Sequence, residues 1–278
     1  MQRTILGLCV KPIDGVDSLH DEDTSLQVNE VQQTMGGQHV YAGEAASIGS
    51  WVDKDAPNIH SDGTISTVEM SFEKRTHSEW LAMPDAKPGF VAIDTSDAEF
   101  VFSNIGVHNG GLVLRASFAL DGFVDDLISS GATIWQILWS DGEESGSWYP
   151  ANDSPEKITD HALKGQIQQV GFQMMDDGRF VRGTVARSGY CELYDPDMSP
   201  ESMAVWLRDH LLQHSGVEGL GSASEIAEQN VDSDDVEEAL EEQQASDEEE
   251  EEEAPRDEQL ASLDQLDSVT VSNGGKSR

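Results

Sequence analysis

The sequence is short of positive charge. Lysine and arginine number 16 in 278 residues, against 54 aspartates and glutamates, a formal net charge of −38. Cysteine is nearly absent. Cys9 and Cys191 lie far apart in apolar, strand-like surroundings. That argues against a disulfide framework or a cysteine metal cluster and predicts two buried thiols. Long apolar runs are missing as well, and no window approaches the roughly 18 apolar residues of a spanning helix. The apolar start at residues 4–10 is interrupted by Gly7, is followed by Lys11-Pro12 and has no small-residue cleavage site. It reads as a first β-strand and not as a signal core. The expectation is a cytoplasmic chain with no membrane association.

Catalytic motifs are missing too. The chain has no GxxxxGK[ST], no GxGxxG after a strand, no GxSxG, no HExxH and no CxxC. This disfavours the common nucleotide hydrolases, serine hydrolases and zinc proteases, and no cofactor or metal is expected. Aromatic residues stop at Trp206. Beyond it come glycine, serine, glutamine and acids, including an unbroken run of seven acids at residues 247–253. Such a composition predicts a disordered acidic tail over residues 216–278.

The acidity is not confined to that tail. Residues 216–278 hold 21 acids and 3 bases, a net of −18, which leaves −20 on residues 1–215. Self-repulsion of this size weakens a compact fold at low ionic strength. At roughly 1 M salt the Debye length falls to about 3 Å and the repulsion is screened. The composition points to a halophilic protein of a salt-loaded cytoplasm.

Residues 1–215 read as strands with few helices. Strands are expected at 4–10, 39–45, 65–72, 89–94, 99–104, 112–118, 133–139, 168–175, 179–186 and 189–194, several with period-two alternation. Asp176-Asp177-Gly178 between two of them signals a tight hairpin. Helices are expected at 123–130, where Phe123, Val124, Leu127 and Ile128 make one face, and from Ser199-Pro200-Glu201 onward. Ser154-Pro155-Glu156 signals a shorter helix ending near residue 163. Residues 14–38 are ambiguous. The fold class is α+β: mostly antiparallel sheet with two or three helices on one face. A β-rich half at 1–110 and an α+β half at 111–215 are expected, either as two units or as one continuous sheet.

One stretch is locally basic. Between residues 164 and 187, Lys164, Arg179, Arg182 and Arg187 face only Asp176 and Asp177. Arg182 shares a strand face with Phe180 and Thr184, and Arg179 points to the other side. Tyr190 and Tyr194 share a face on the next strand. Arginines beside aromatics on a sheet can grip phosphates and stack bases, which makes these six residues a candidate nucleic-acid or anion site. Pairing of the arginines with surface carboxylates is the plainer reading. His210 and His214, four apart, have the spacing of a metal pair but lack a third ligand, so no metal site is expected. His60-Ser61-Asp62 and His77-Ser78-Glu79 place histidine near hydroxyl and carboxylate, as loop composition alone also does. In the tail, Leu260, Leu263, Leu266 and Val269 recur every three residues behind Asp257-Glu258, a short apolar stripe suited to a partner's groove.

The functional expectation is a non-enzymatic accessory or regulatory binding protein, nucleic-acid-associated through the basic sheet region and joined to a protein partner through its tail. The alternative is a hydrolase-like enzyme with a histidine–carboxylate site assembled by the fold.

Overall fold

A computed structural model describes residues 2–61, 64–142, 144–149, 166–195 and 197–228. The expected helix near 155–163, Lys164 and the stripe of Leu260, Leu263 and Leu266 lie outside the described residues.

In chain order the elements are β1 (Arg3–Lys11), β2 (Leu19–His20), β3 (Thr24–Gln33), β4 (His39–Ile59), β5 (Ile65–Met83), β6 (Phe90–Ile93), α1 (Phe100–His108), β7 (Leu112–Arg115), β8 (Ser117–Phe118), α2 (Leu120–Ser129), β9 (Thr133–Ser140), β10 (Ser145–Trp148), β11 (Gln166–Asp176), β12 (Arg179–Ala186), β13 (Tyr190–Leu193), α3 (Pro200–Trp206), β14 (Ser215–Val217), β15 (Gly221–Ser222) and α4 (Ala223–Glu228). Twelve strands form one sheet in the order β10-β9-β11-β12-β13-β1-β6-β5-β4-β3-β2, with β7 also paired to β1. All its pairings are antiparallel. A second sheet has the order β15-β14-β8. The fold is thus sheet-rich α+β, and residues 1–110 and 111–215 both contribute strands to the large sheet.

β1 is the hinge of that arrangement. It pairs with β6 along one edge, and with β13 and β7 at the two ends of the other. Seven successive residues, Thr4–Val10, are buried, so both of its faces are covered. Leu6, Leu8 and Val10 point into the larger core, with α2, α3 and α4. Ile5 and Cys9 point the other way, into a smaller core with Val101, Phe102 and Ile105 of α1. Helices therefore lie on both faces of the sheet, which corrects the expectation of a single helical face.

The same fact explains a misread element. Residues 99–104, expected as a strand, instead open α1, with Glu99 at its N-cap position. Phe100, Val101 and Phe102 are β-formers taken singly, yet the buried positions Val101, Phe102, Ile105 and Gly106 follow a helical repeat. Burial against β1 and β7 decides the matter over propensity. Gly106 permits the close approach, since a Cβ there would sit 2.9 Å from the Val113 backbone nitrogen.

The clearer signals hold. Asp176 pairs with Arg179, leaving Asp177 and Gly178 as a two-residue loop, both at positive φ (45° and 81°), the mirror-image turn that matches strand twist. Ser199 caps α3 by accepting from the Ser202 backbone N–H at 3.1 Å, with Pro200 in the first turn. After Trp206 the helix widens into a π-turn at Leu207–Leu211 and then a 3₁₀ turn at Leu212–His214. Residues 14–38 resolve into β2 and β3. Residues 216–228, assigned to the tail on composition, instead form β-structure and α4, with Val217, Ala223 and Ile226 buried in the larger core. Three small or branched apolar residues suffice there because β14 pairs with β8 and brings the segment over a core already formed. Residues 229–278 lie outside the described residues. Among the described residues no helix is long and apolar enough to cross a membrane.

Candidate functional site: an aromatic sheet face

The strands β11, β12 and β13 turn one face to the larger core through Val170, Phe172, Val181, Val185, Cys191 and Leu193. Alternation then sends Gln173, Met175, Phe180, Arg182, Thr184, Tyr190 and Tyr194 to the opposite face. Thr184 is buried there and Tyr190 packs against the smaller core, while the part around β11 and β12 is open. Phe180 is 57% exposed and Tyr194 46% exposed, with Met175 beside Phe180 in register.

Arg182 is the cation of this face. Its guanidinium carbon lies 5.0 Å from the Trp135 ring centroid, a cation–π contact. Trp135 is held in turn. Its Nε1–H donates to the Phe172 carbonyl at 3.0 Å, and its ring lies over Gly171. Only glycine fits there, because a Cβ would come within 2.6 Å of the indole. A register shift between Gly171 and Phe172 in the β9–β11 pairing accompanies this seat. Next to Arg182, the Tyr194 hydroxyl lies 2.9 Å from Thr184 Oγ1. Tyr190 donates to Glu192 at 3.0 Å. Burial and that carboxylate push its phenol up to about 12.

The six residues singled out from sequence are therefore sorted. Arg182, Tyr190 and Tyr194 come together on one face. Arg179 goes to the other side of β12 and pairs with Asp195, 2.6 Å from its Nη2 and 2.8 Å from its Nε. Arg187 is half-buried just past the end of β12, where its backbone ties Gln168 and Phe118. Lys164 lies outside the described residues. Trp135 and Phe180 complete the face. The seat of Trp135 on Gly171 depends on a neighbouring strand and leaves no mark in sequence spacing.

The histidines are dispersed. His210 Nε2 lies 3.1 Å from Asp176, and its ring packs on Trp206. His214 Nε2 lies 2.9 Å from Asp126, its ring against Phe123. The two thus serve different carboxylates instead of one metal. His60 contacts Ser66 Oγ at 2.7 Å, and His77 lies 3.9 Å from Glu44, both exposed. His39 binds Asp85 twice: Nδ1 at 2.7 Å and the backbone N–H at 2.9 Å. These bonds, the backbone one foremost, hold the Asp85 carboxyl below its ordinary range. Among the described residues no three histidine, cysteine, aspartate or glutamate side chains converge as metal ligands.

A cavity of about 630 Å³ opens between the end of β1, the turn carrying Asp85 and Lys87, and Ile226 of α4. Lys11 and Lys87 on its wall are matched by Asp14, Asp85 and Glu228. Cys9 also lines it, but burial pushes this thiol up to about 12, which makes it a poor nucleophile. Cys191 is raised in the same way, and both cysteines are free and buried. Trp148 packs partly against the larger core, while Tyr149 is 61% exposed.

No protein-family model matches the chain, and a search of curated proteins gives no match.

Proposed function

We propose that the protein is a non-enzymatic accessory or regulatory binding protein of a high-salt cytoplasm that takes single-stranded nucleic acid on its open sheet face. One observation carries the reading: Arg182 laid on Trp135, with Tyr194 and Phe180 exposed beside it. Aromatic faces on a sheet stack unpaired bases at roughly 1–3 kcal/mol per base, without needing a particular sequence. The arginine adds a planar cation for a phosphate or a base. The net charge of −38 repels phosphates from a distance, but at roughly 1 M salt that repulsion reaches only about 3 Å. Stacking at contact survives such screening.

This reading has an unusual signature. Ordinary nucleic-acid binding weakens steeply with salt, because phosphate neutralisation releases counterions. Here one cation meets the ligand inside a repelling field, so binding tightens as salt rises and then levels. Fluorescence anisotropy of a labelled single-stranded oligonucleotide across a KCl series tests it. R182Q and W135A are expected to abolish the signal while the fold persists. Absence of binding at every salt concentration sinks the reading. The tail, with Leu260, Leu263 and Leu266, supplies the protein–protein contact in the same proposal. Replacing the three leucines with serine is expected to remove a co-purifying partner, and an unchanged partner list would make the tail a passive solubilising segment.

A further inference from the structure

The cavity beside β1 lies where the large sheet loses a strand. β1 pairs with β6 only as far as Leu8–Phe90, and one further bond joins the Cys9 N–H to the Gly89 carbonyl at 2.8 Å. β1 then runs on to Lys11 with β7 along its other edge. The gap beside it, closed on the far side by Ile226 of α4, holds about 630 Å³. That falls within the roughly 300–1,000 Å³ of small-molecule sites.

Its walls are tied down independently of any ligand. The Ala86 N–H donates to the Met83 carbonyl at 3.2 Å, which tightens the turn, and Asp85 is bound twice by His39. Gly89 packs so closely that a Cβ there would sit 2.7 Å from the Pro84 carbonyl oxygen. α4 is anchored by Ile226, 3% exposed, and its start by Glu225 accepting from the Ser222 N–H at 2.7 Å. Val10, Ile13, Ala86 and Ile226, all buried, give the cavity an apolar floor.

The charges on the wall are of both signs. Of the described lysines, Lys11, Lys54, Lys74 and Lys87, two stand here. Among the described residues neither Lys11 nor Lys87 forms an ion pair, and neither do Asp14 and Glu228 on the same wall. Asp85 is already engaged by His39. A simple anion would be repelled by the two acids and by the net charge of −38. A simple cation finds carboxylates over the whole surface and gains nothing from the lysines. A molecule bearing both signs on an apolar body answers every part of the wall. We propose that the cavity binds a small zwitterion with an apolar body, of which an apolar α-amino acid is the simplest. Lys11 and Lys87 take its carboxylate, Asp14 and Glu228 its ammonium, and the floor its side chain. The site shares no residue with the aromatic sheet face. A ligand this small reaches a Kd of roughly 0.1–1 mM.

Isothermal titration calorimetry of the full chain in roughly 1 M KCl tests the proposal, with L-leucine and L-phenylalanine as probes. Isocaproate, which is leucine without its amine, and isopentylamine, which is leucine without its carboxylate, are the controls. At least one amino acid is expected to bind in the stated range, and both controls roughly tenfold more weakly than leucine. K11Q/K87Q is expected to bring leucine down to the affinity of isopentylamine, and D14N/E228Q to that of isocaproate. All four side chains are exposed, so circular dichroism and melting temperature are expected to stay those of the wild type. A227W, at an exposed position lining the cavity, is expected to abolish binding by filling it. Failure of both amino acids to bind overturns the proposal. So does equal binding of leucine and either control, or binding that survives A227W.

Discussion

Replacing Gly171 by alanine isolates the seat of the aromatic face. The new Cβ would meet three indole atoms of Trp135, the nearest at 2.6 Å, inside any tolerable contact distance. Backbone from β11 cannot yield without breaking the β9 and β12 ladders, so the indole has to move. It then loses the hydrogen bond to the Phe172 carbonyl, worth about 1 kcal/mol, and the cation–π contact with Arg182, worth about 0.5–1 kcal/mol at an exposed site. Relief of glycine's extra chain entropy returns about 0.5–1 kcal/mol. Residual crowding adds about 1 kcal/mol or more, so the net cost is roughly 2 kcal/mol. For a folded part of this size that lowers the melting temperature by about 4–8 °C. Thermal denaturation followed by circular dichroism in high salt measures it. The decisive comparison is a double-mutant cycle with W135A. Once the indole is gone, G171A is expected to be neutral or slightly stabilising, a coupling of about 2 kcal/mol between two residues on neighbouring strands. An equal loss with and without Trp135 would refute the packing argument, and a wild-type melting temperature for G171A would refute the geometry itself.

Truncation after Glu228 is expected to leave the melting temperature unchanged. Truncation after Ser215 is expected to lower it sharply, since Ile226 alone, 3% exposed, is worth about 2–4 kcal/mol when cut to alanine. Melting temperature is expected to rise steeply between about 0.1 and 1 M KCl as the net −20 on residues 1–215 is screened; a salt-independent melt would contradict the electrostatic reading. Asp85 has its carboxyl held below the ordinary 3.8, so its bonds to His39 stabilise the fold at and above that pH and lose their effect as pH falls through the lowered value. D85N is therefore expected to lower stability at pH 6, by less as pH falls below 3.8, as read from melts across the acid range.

Much of this protein was fixed by local rules. Period-two alternation in β11 and β12 needs only near neighbours, and so does the Asp177–Gly178 turn, which requires positive φ at both positions. The cap at Ser199 and the burial of both cysteines were legible for the same reason. Net charge and composition were legible too, since they are sums that no fold alters. Tertiary structure decided what depends on a partner far away in sequence. Phe100, Val101 and Phe102 became helical because β1 and β7 present a second buried face. Val217, Ala223 and Ile226 became core because β8 draws their segment over an existing one. Within the candidate site, alternation alone separated Arg182 from Arg179. That Arg179 is tied to Asp195 while Arg182 rests on Trp135 follows from the register of β9, β11, β12 and the segment after β13. Cross-strand register joins residues about 40 positions apart, and no spacing within a single strand encodes it.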